Sequence, residues 1–190
     1  LRWQPDEGAP QQLMLLFHGV GANAADLAPL AEHLQREFPQ AALLAFDGIE
    51  PFDGDPSGTA RQWFSIQGVT EANRAARIDA VVPLVAALVE AAQSATGLGP
   101  QATALVGFSQ GAIVSLAAVQ AHDGLAGRVL AFAGRYAVLP DSAPQHTTLH
   151  FFHGGADAVI PVQHAKDAMQ RLANLNGDAT IDIAENAGHE

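Results

Sequence analysis

The apolar residues of this chain fall into short runs separated by longer stretches of helical period. Leu13-Met14-Leu15-Leu16-Phe17 is apolar at every position, which predicts a strand covered on both faces. Residues 42–46 repeat that signature, and the mostly apolar runs 103–106, 128–132 and 148–152 predict further strands. Residues 180–185 set Ile181 and Ile183 about Asp182, predicting a strand with one wetter face. Between these runs the period predicts helices over 23–38, with Asn23 as N-cap, and over 71–96, 110–121 and 162–174. Pro83 predicts a kink or restart in the second helix, and Gly97 and Gly99 predict its stop. The third helix is apolar nearly all round (Ala112, Ile113, Val114, Leu116, Ala117, Ala118, Val119), which predicts burial. Residues 47–70 are rich in Gly, Pro and Asp and read as a surface excursion. Strands alternating with helices predict an α/β fold, with a mostly parallel central sheet and helices on both faces.

A length of 190 residues predicts one domain spanning 1–190. With 48% apolar and 15% charged residues, the composition is globular. No run of about 18 apolar residues predicts a membrane span. A net charge of −11 argues against nucleic acid and against stable attachment to an acidic membrane. The absence of cysteine rules out disulfides, thiolate metal sites and a cysteine nucleophile; it fits a cytoplasmic protein, the location expected here, without excluding the periplasm. The chain starts at Leu1 and stops one residue past His189, which reads as trimmed ends.

Gly107-Phe108-Ser109-Gln110-Gly111 matches G-x-S-x-G. The pattern gains weight from its setting, with an apolar strand leading in and a buried helix leading out. Glycines two residues either side relieve a turn so sharp that the serine is strained, and the serine is lifted to a helix N-terminus. The plain alternative is that Ser109 only caps that helix. A serine hydrolase of this kind carries its partners in the order Ser, Asp or Glu, His. Asp157, in His153-Gly154-Gly155-Ala156-Asp157, follows a predicted strand, and His189, in Asn186-Ala187-Gly188-His189, follows the last one. Both sit at the sheet edge where α/β sites assemble. Taken singly, they read as a turn aspartate and a terminal histidine. The N–H groups of Gln110 and of Val20, in His18-Gly19-Val20-Gly21, are the candidate oxyanion donors.

Two other readings compete. Gly19-Val20-Gly21-Ala22-Asn23-Ala24 also matches G-x-G-x-x-A, with Asp47 as a ribose partner, but Asp47 lies 28 residues on and the triad is left unexplained. A metal site from His18, His153 and His189 has no supporting ligand spacing. No cofactor and no metal are expected.

These motifs, together with Arg61-Gln62-Trp63-Phe64, resemble the carboxylesterase/phospholipase branch of the α/β-hydrolases, which includes acyl-protein thioesterases. The resemblance covers essentially the whole chain. It implies the α/β-hydrolase fold without a large lid domain, a serine carboxylesterase acting on short acyl esters, no cofactor, and a monomer or homodimer. The thioesterases of the family carry aspartate where this chain has Ser65, which weakens a thioesterase assignment more than an esterase one. The family also carries a helix after the histidine, and without it the sheet is expected to lose cover. Only about fifteen residues separate the strands that would flank a lid, so the mouth is expected to be open and unselective. Trp63, Phe64 and Phe108 are candidate acyl-pocket walls, with ordinary packing as the alternative. A thioesterase or lysophospholipase, a serine peptidase and a non-catalytic binding module remain as alternative functions.

Overall fold

A computed structural model describes residues 1–190. Its nine strands are β1 (Arg2–Trp3), β2 (Gln12–Phe17), β3 (Ala41–Phe46), β4 (Glu50–Pro51), β5 (Arg61–Gln62), β6 (Thr103–Phe108), β7 (Arg128–Phe132), β8 (Thr148–Gly154) and β9 (Ala179–Ala184). Its helices are α1 (Ala28–Glu37), α2 (Glu71–Thr96), α3 (Gln110–Ala121) and α4 (Gln163–Asn174). Seven strands form one sheet in the order β1-β3-β2-β6-β7-β8-β9, while β4 and β5 pair separately. Every pairing in the large sheet is parallel except β1 with β3.

The period of two sorts the strand residues between two cores. Leu13, Leu15, Phe17, Leu105, Val129, Ala131, Leu149 and Phe151 face a large cluster that also takes in α2, α3 and α4. Leu16, Leu43, Ala45 and Val106 face a smaller cluster with Ala31 of α1. Helices thus lie on both faces, but three share one face and α1 stands alone on the other. On the α1 face Met14, Leu130 and Phe152 remain half-buried and line a groove of about 570 Å³, which contains none of Ser109, Asp157 and His189.

Local departures from the sequence pattern have local causes. The helix expected from residue 23 opens as a 3-10 turn, Ala24–Leu27, before α1. Asn23 caps it, accepting from the Ala25 N–H at 2.8 Å. Helix α2 runs through Pro83 without a restart. Pro83 and Asp79, whose carbonyl loses its donor there, are both exposed, so water can serve that carbonyl. Gly97 ends α2 in the left-handed conformation at φ 71°. Strand β1, two residues long, is too short to carry a periodic signal, and it escapes the sequence reading.

The chain visits β3 on one side of β2 and then returns to β6 on the other. The loops after β2 and β6 therefore diverge at the topological switch point, which opens a crevice at the strands' C-terminal ends. Close packing fixes that point. A Cβ on Gly107 would lie 2.5 Å from the Gly111 carbonyl oxygen, and one on Gly111 would run into the Phe17 carbonyl. Both obstacles are backbone and cannot swing aside. Gly111→Ala should therefore lower the unfolding free energy by about 3 kcal/mol or more. Urea denaturation checks this, and an unchanged midpoint would show that α3 does not press on β2.

Candidate active site

Ser109 holds φ 52° and ψ −115°, between β6 and α3. Such a conformation costs about 1–3 kcal/mol and persists only where the surroundings hold it. Here its N–H donates to the Phe132 carbonyl at 2.8 Å, and its carbonyl accepts from the Ile113 N–H at 3.0 Å. Ser109 occupies the N-cap position, yet its side chain makes no capping bond. The hydroxyl is left for another partner, and the capping alternative fails on that point.

That partner is His189. Its Nε2 lies 2.9 Å from Ser109 Oγ, and its Nδ1 lies 2.7 Å from Asp157 Oδ2. A neutral ring with Nδ1–H donating to the carboxylate has Nε2 free to accept from the hydroxyl. Three residues separated widely in sequence thus form one hydrogen-bonded line. The Phe108 ring sits against the imidazole at 5.1 Å between centroids.

The Asp157 side chain is fully buried. Its Oδ1 accepts from the N–H groups of Val159 and Ile160, each at 2.8 Å. Burial pushes the carboxyl up. The His189 hydrogen bond, the two backbone N–H groups and the His189 charge outweigh it and hold the group below its ordinary value. His153 donates from Nε2 to the Ile160 carbonyl at 2.7 Å, and that nitrogen lies 3.4 Å from Asp157. The Asp157 loop and the His189 loop touch through backbone. Ala156 N–H donates to the Ala187 carbonyl at 2.9 Å, and a Cβ on Gly154 would collide with the Gly188 carbonyl. The glycine pair before Asp157 is what lets the two loops meet.

The loop after β2 closes on Ser109 from the other side. A Cβ on Gly19 would lie 3.3 Å from the Ser109 Cβ. The Val20 N–H has no acceptor within the protein, and the Gln110 N–H belongs to the first turn of α3, where no intrahelical acceptor exists. Val20, Ser109 and Gln110 line one cavity of about 290 Å³. Phe64, Ile66, Val69, Ile113 and Ile160 give it apolar walls, and Arg74, Arg135 and His164 also line it.

Of the aromatic residues expected at the acyl wall, only Phe64 is there. Trp63 has no exposed surface; its ring packs 5.2 Å from Phe17, and its indole N–H donates to the His18 carbonyl at 3.0 Å. Phe108 packs on His189 instead of lining the cavity. The Arg61-Gln62-Trp63-Phe64 segment works as a brace. Gln110 accepts from the Trp63 N–H at 2.6 Å and donates to the Phe64 carbonyl at 2.7 Å. Across the same junction the Gly21 N–H donates to the Arg61 carbonyl at 2.9 Å, and the Arg61 N–H donates to the Ala22 carbonyl at 2.8 Å. The sequence points only to the Gln110 N–H; the bracing role of its side chain depends on residues 63–64 lying across from it. Ser65 donates to Asp53 at 2.5 Å, so a neighbouring loop sets a carboxylate beside the position where the resemblance led one to expect an aspartate.

The dinucleotide reading of 19–24 meets an obstacle. The N–H groups of Ala24 and Ala25 already donate to Asp47 and Asn23 at 2.8 Å, so the helix end offers no anion site, and Asp47 acts as a cap. No group of three or more His, Asp or Glu side chains is arranged to hold a metal ion.

The sheet order, the strained serine between β6 and α3, and the acid and histidine loops after β8 and β9 define an α/β-hydrolase fold. Comparison with known proteins narrows the class. The family model described as Phospholipase/Carboxylesterase matches residues 3–190. The esterase YpfH of Escherichia coli (strain K12) is 49% identical over 185 residues, covering 97% of this chain and 78% of that protein. Acyl-protein thioesterase 1 of Kluyveromyces lactis is 28% identical over 179 residues, covering 83% and 75%. The crystal structure of esterase PE8 superposes with a TM-score of 0.90 at 28% identity, covering all of this chain and 90% of that one. The chain belongs to the phospholipase/carboxylesterase family.

His18 anchors the loop after β2. Its Nε2 accepts from the Gly48 N–H at 2.8 Å, and its Nδ1 lies 2.6 Å from the Gly19 carbonyl. Only the neutral Nδ1–H tautomer satisfies both. Burial lowers its pKa, outweighing the Gly19 hydrogen bond and nearby carboxylates that raise it. A histidine with a depressed folded pKa binds fewer protons folded than unfolded. Its contribution to stability is therefore complete above about pH 6.5, and it is lost as pH falls from there through the folded value. Nitrogen NMR of the imidazole across a pH titration should show His18 Nε2 gaining its proton at lower pH in the folded protein than in the unfolded chain. Protonation at the same or a higher pH would contradict the assignment.

Proposed function

We propose that the protein is a serine carboxylesterase that cleaves short-chain acyl esters through an acyl-enzyme. The observation that carries the proposal is the unbroken hydrogen-bonded line Asp157–His189–Ser109. Ser109 attacks the ester carbonyl while His189 Nε2 takes the hydroxyl proton. Asp157 holds the ring in the Nδ1–H tautomer and stabilises the imidazolium that forms. The N–H groups of Val20 and Gln110 receive the oxyanion, and the positive end of α3 favours the same charge. His189 then returns its proton to the leaving alcohol. Water repeats the sequence on the acyl-enzyme, releasing the acid and free Ser109.

Family membership and the 49% identity to an esterase support ester hydrolysis. The apolar walls and the volume of about 290 Å³ favour a small acyl group. Ser109→Ala should abolish hydrolysis of p-nitrophenyl acetate and butyrate while leaving circular dichroism unchanged. Asp157→Asn, which leaves the wrong tautomer, should lower kcat by about 10⁴. Equal turnover by the native protein and Ser109→Ala would refute the proposal.

A further inference from the structure

The whole chain has nine lysine and arginine residues against twenty carboxylates. Two of the nine, Arg74 and Arg135, line the cavity that contains Ser109, and no aspartate or glutamate lines it. Arg74 lies in the first turns of α2, and Arg135 lies in the loop after β7, so two distant segments converge there. Their side chains are 20% and 13% exposed. Both lean on one carboxylate, Glu71, which is itself 67% exposed. Arg135 grips it with Nη1 at 3.2 Å and Nη2 at 2.8 Å, and Arg74 reaches it with Nε at 3.2 Å and Nη2 at 3.0 Å. Arg135 Nε also donates to the Tyr136 carbonyl at 3.0 Å. These bonds occupy five of the ten N–H groups on the two guanidiniums.

Two largely buried cations against the exposed Glu71 leave the lining of this cavity net positive inside an acidic protein, while the Asp167 charge reaches His164 from outside the lining. Burial, then the Arg135 charge, hold the His164 pKa below its ordinary value, so His164 adds no charge at neutral pH. We infer that the ester cleaved at Ser109 carries an oxyanion group, a carboxylate or a phosphate, which Arg74 and Arg135 bind. The inference rests on the esterase reading and names the class of its substrate. The planar, always-charged guanidinium suits either oxyanion through paired hydrogen bonds. A positive cavity in a negative surface also concentrates anionic substrates at its mouth.

Matched synthetic esters test this on both sides of the scissile bond. On the acyl side, mono-p-nitrophenyl adipate and suberate are compared with the hexanoate and octanoate. On the alcohol side, 4-acyloxybenzoate and 4-acyloxyphenyl phosphate are compared with 4-acyloxybenzamide. The quantity read is kcat/KM of the charged ester over that of its neutral partner. Dividing the native ratio by a variant's ratio cancels intrinsic leaving-group reactivity.

At least one pair should favour the anion by about tenfold, less in high salt. Arg135→Gln and Arg74→Gln should each remove most of that preference, chiefly through KM. Glu71→Gln should raise it, because both guanidiniums are freed. These opposite signs cannot come from misfolding, which lowers both substrates alike. The pair that responds tells carboxylate from phosphate and acyl side from alcohol side. Ratios unmoved by all three variants overturn the inference. If neutral esters are still cleaved in a Ser109-dependent way, that result leaves the esterase reading standing. Neutral-ester turnover that does not need Ser109 refutes the reading itself.

Discussion

The backbone of Ser109 is held where an L-residue does not rest by choice, and the rest of the site is arranged around that fact. Its φ of 52° is sustained from both sides, by a hydrogen bond to the end of β7 and by the first turn of α3. Helix α3 can supply that support because it is packed into the sheet nearly all round, with nine of its residues buried. It can pack so closely only because Gly107 and Gly111 carry no Cβ. Strain at one residue is thus offset by burial along a whole helix. The same contact brings Phe17, the last residue of β2, against α3, so the loop after β2 starts beside the serine.

A second constraint follows from parallel strands. All their C-terminal ends lie on one edge, so loops distant in sequence must share it. The Asp157 and His189 loops meet there through backbone bonds between Ala156 and Ala187 and between Gly155 and Ala184. The position of the imidazole is therefore set by sheet register, not by side-chain packing alone. A buried carboxylate would be unfavourable in isolation. Asp157 stays charged because two N–H groups and an imidazole are aimed at it, and the price of its burial is what makes its orientation stiff.

Periodicity, glycine spacing and chain order made most of this legible in the sequence. The boundaries of α2, α3 and β7 follow directly from the apolar pattern. The residues of the hydrogen-bonded line could be chosen because the fold admits one order and each followed a strand. What stayed hidden depends on three-dimensional pairing. Trp63 looks like a pocket wall in the sequence, since nothing there reveals that its indole N–H serves the His18 carbonyl. The role of the Gln110 side chain requires knowing that residues 63–64 lie across from it. The placing of three helices on one face is a matter of crossover direction, which apolar period does not encode. Arg74 and Arg135 are 61 positions apart, and each reads alone as an ordinary surface charge.

The loop after β7 shows how selectivity can arise without a lid. Residues 133–147 contain no helix, as their small number suggested, and an open mouth was the natural expectation. Yet that short loop carries Arg135, whose Nε is tied to the next residue's carbonyl and whose fork is largely buried. A lid selects by shape and must move for each turnover. A fixed guanidinium selects by charge and needs no motion, because the long-range field sorts ligands before contact. Burial strengthens that field by keeping water from screening it. Glu71 then sets its strength: as an exposed residue at the start of α2, it can give way to a better-placed anion without disturbing the core. In the proposed reading, charge on a short loop and an adjustable counter-ion take over the selecting role of a lid.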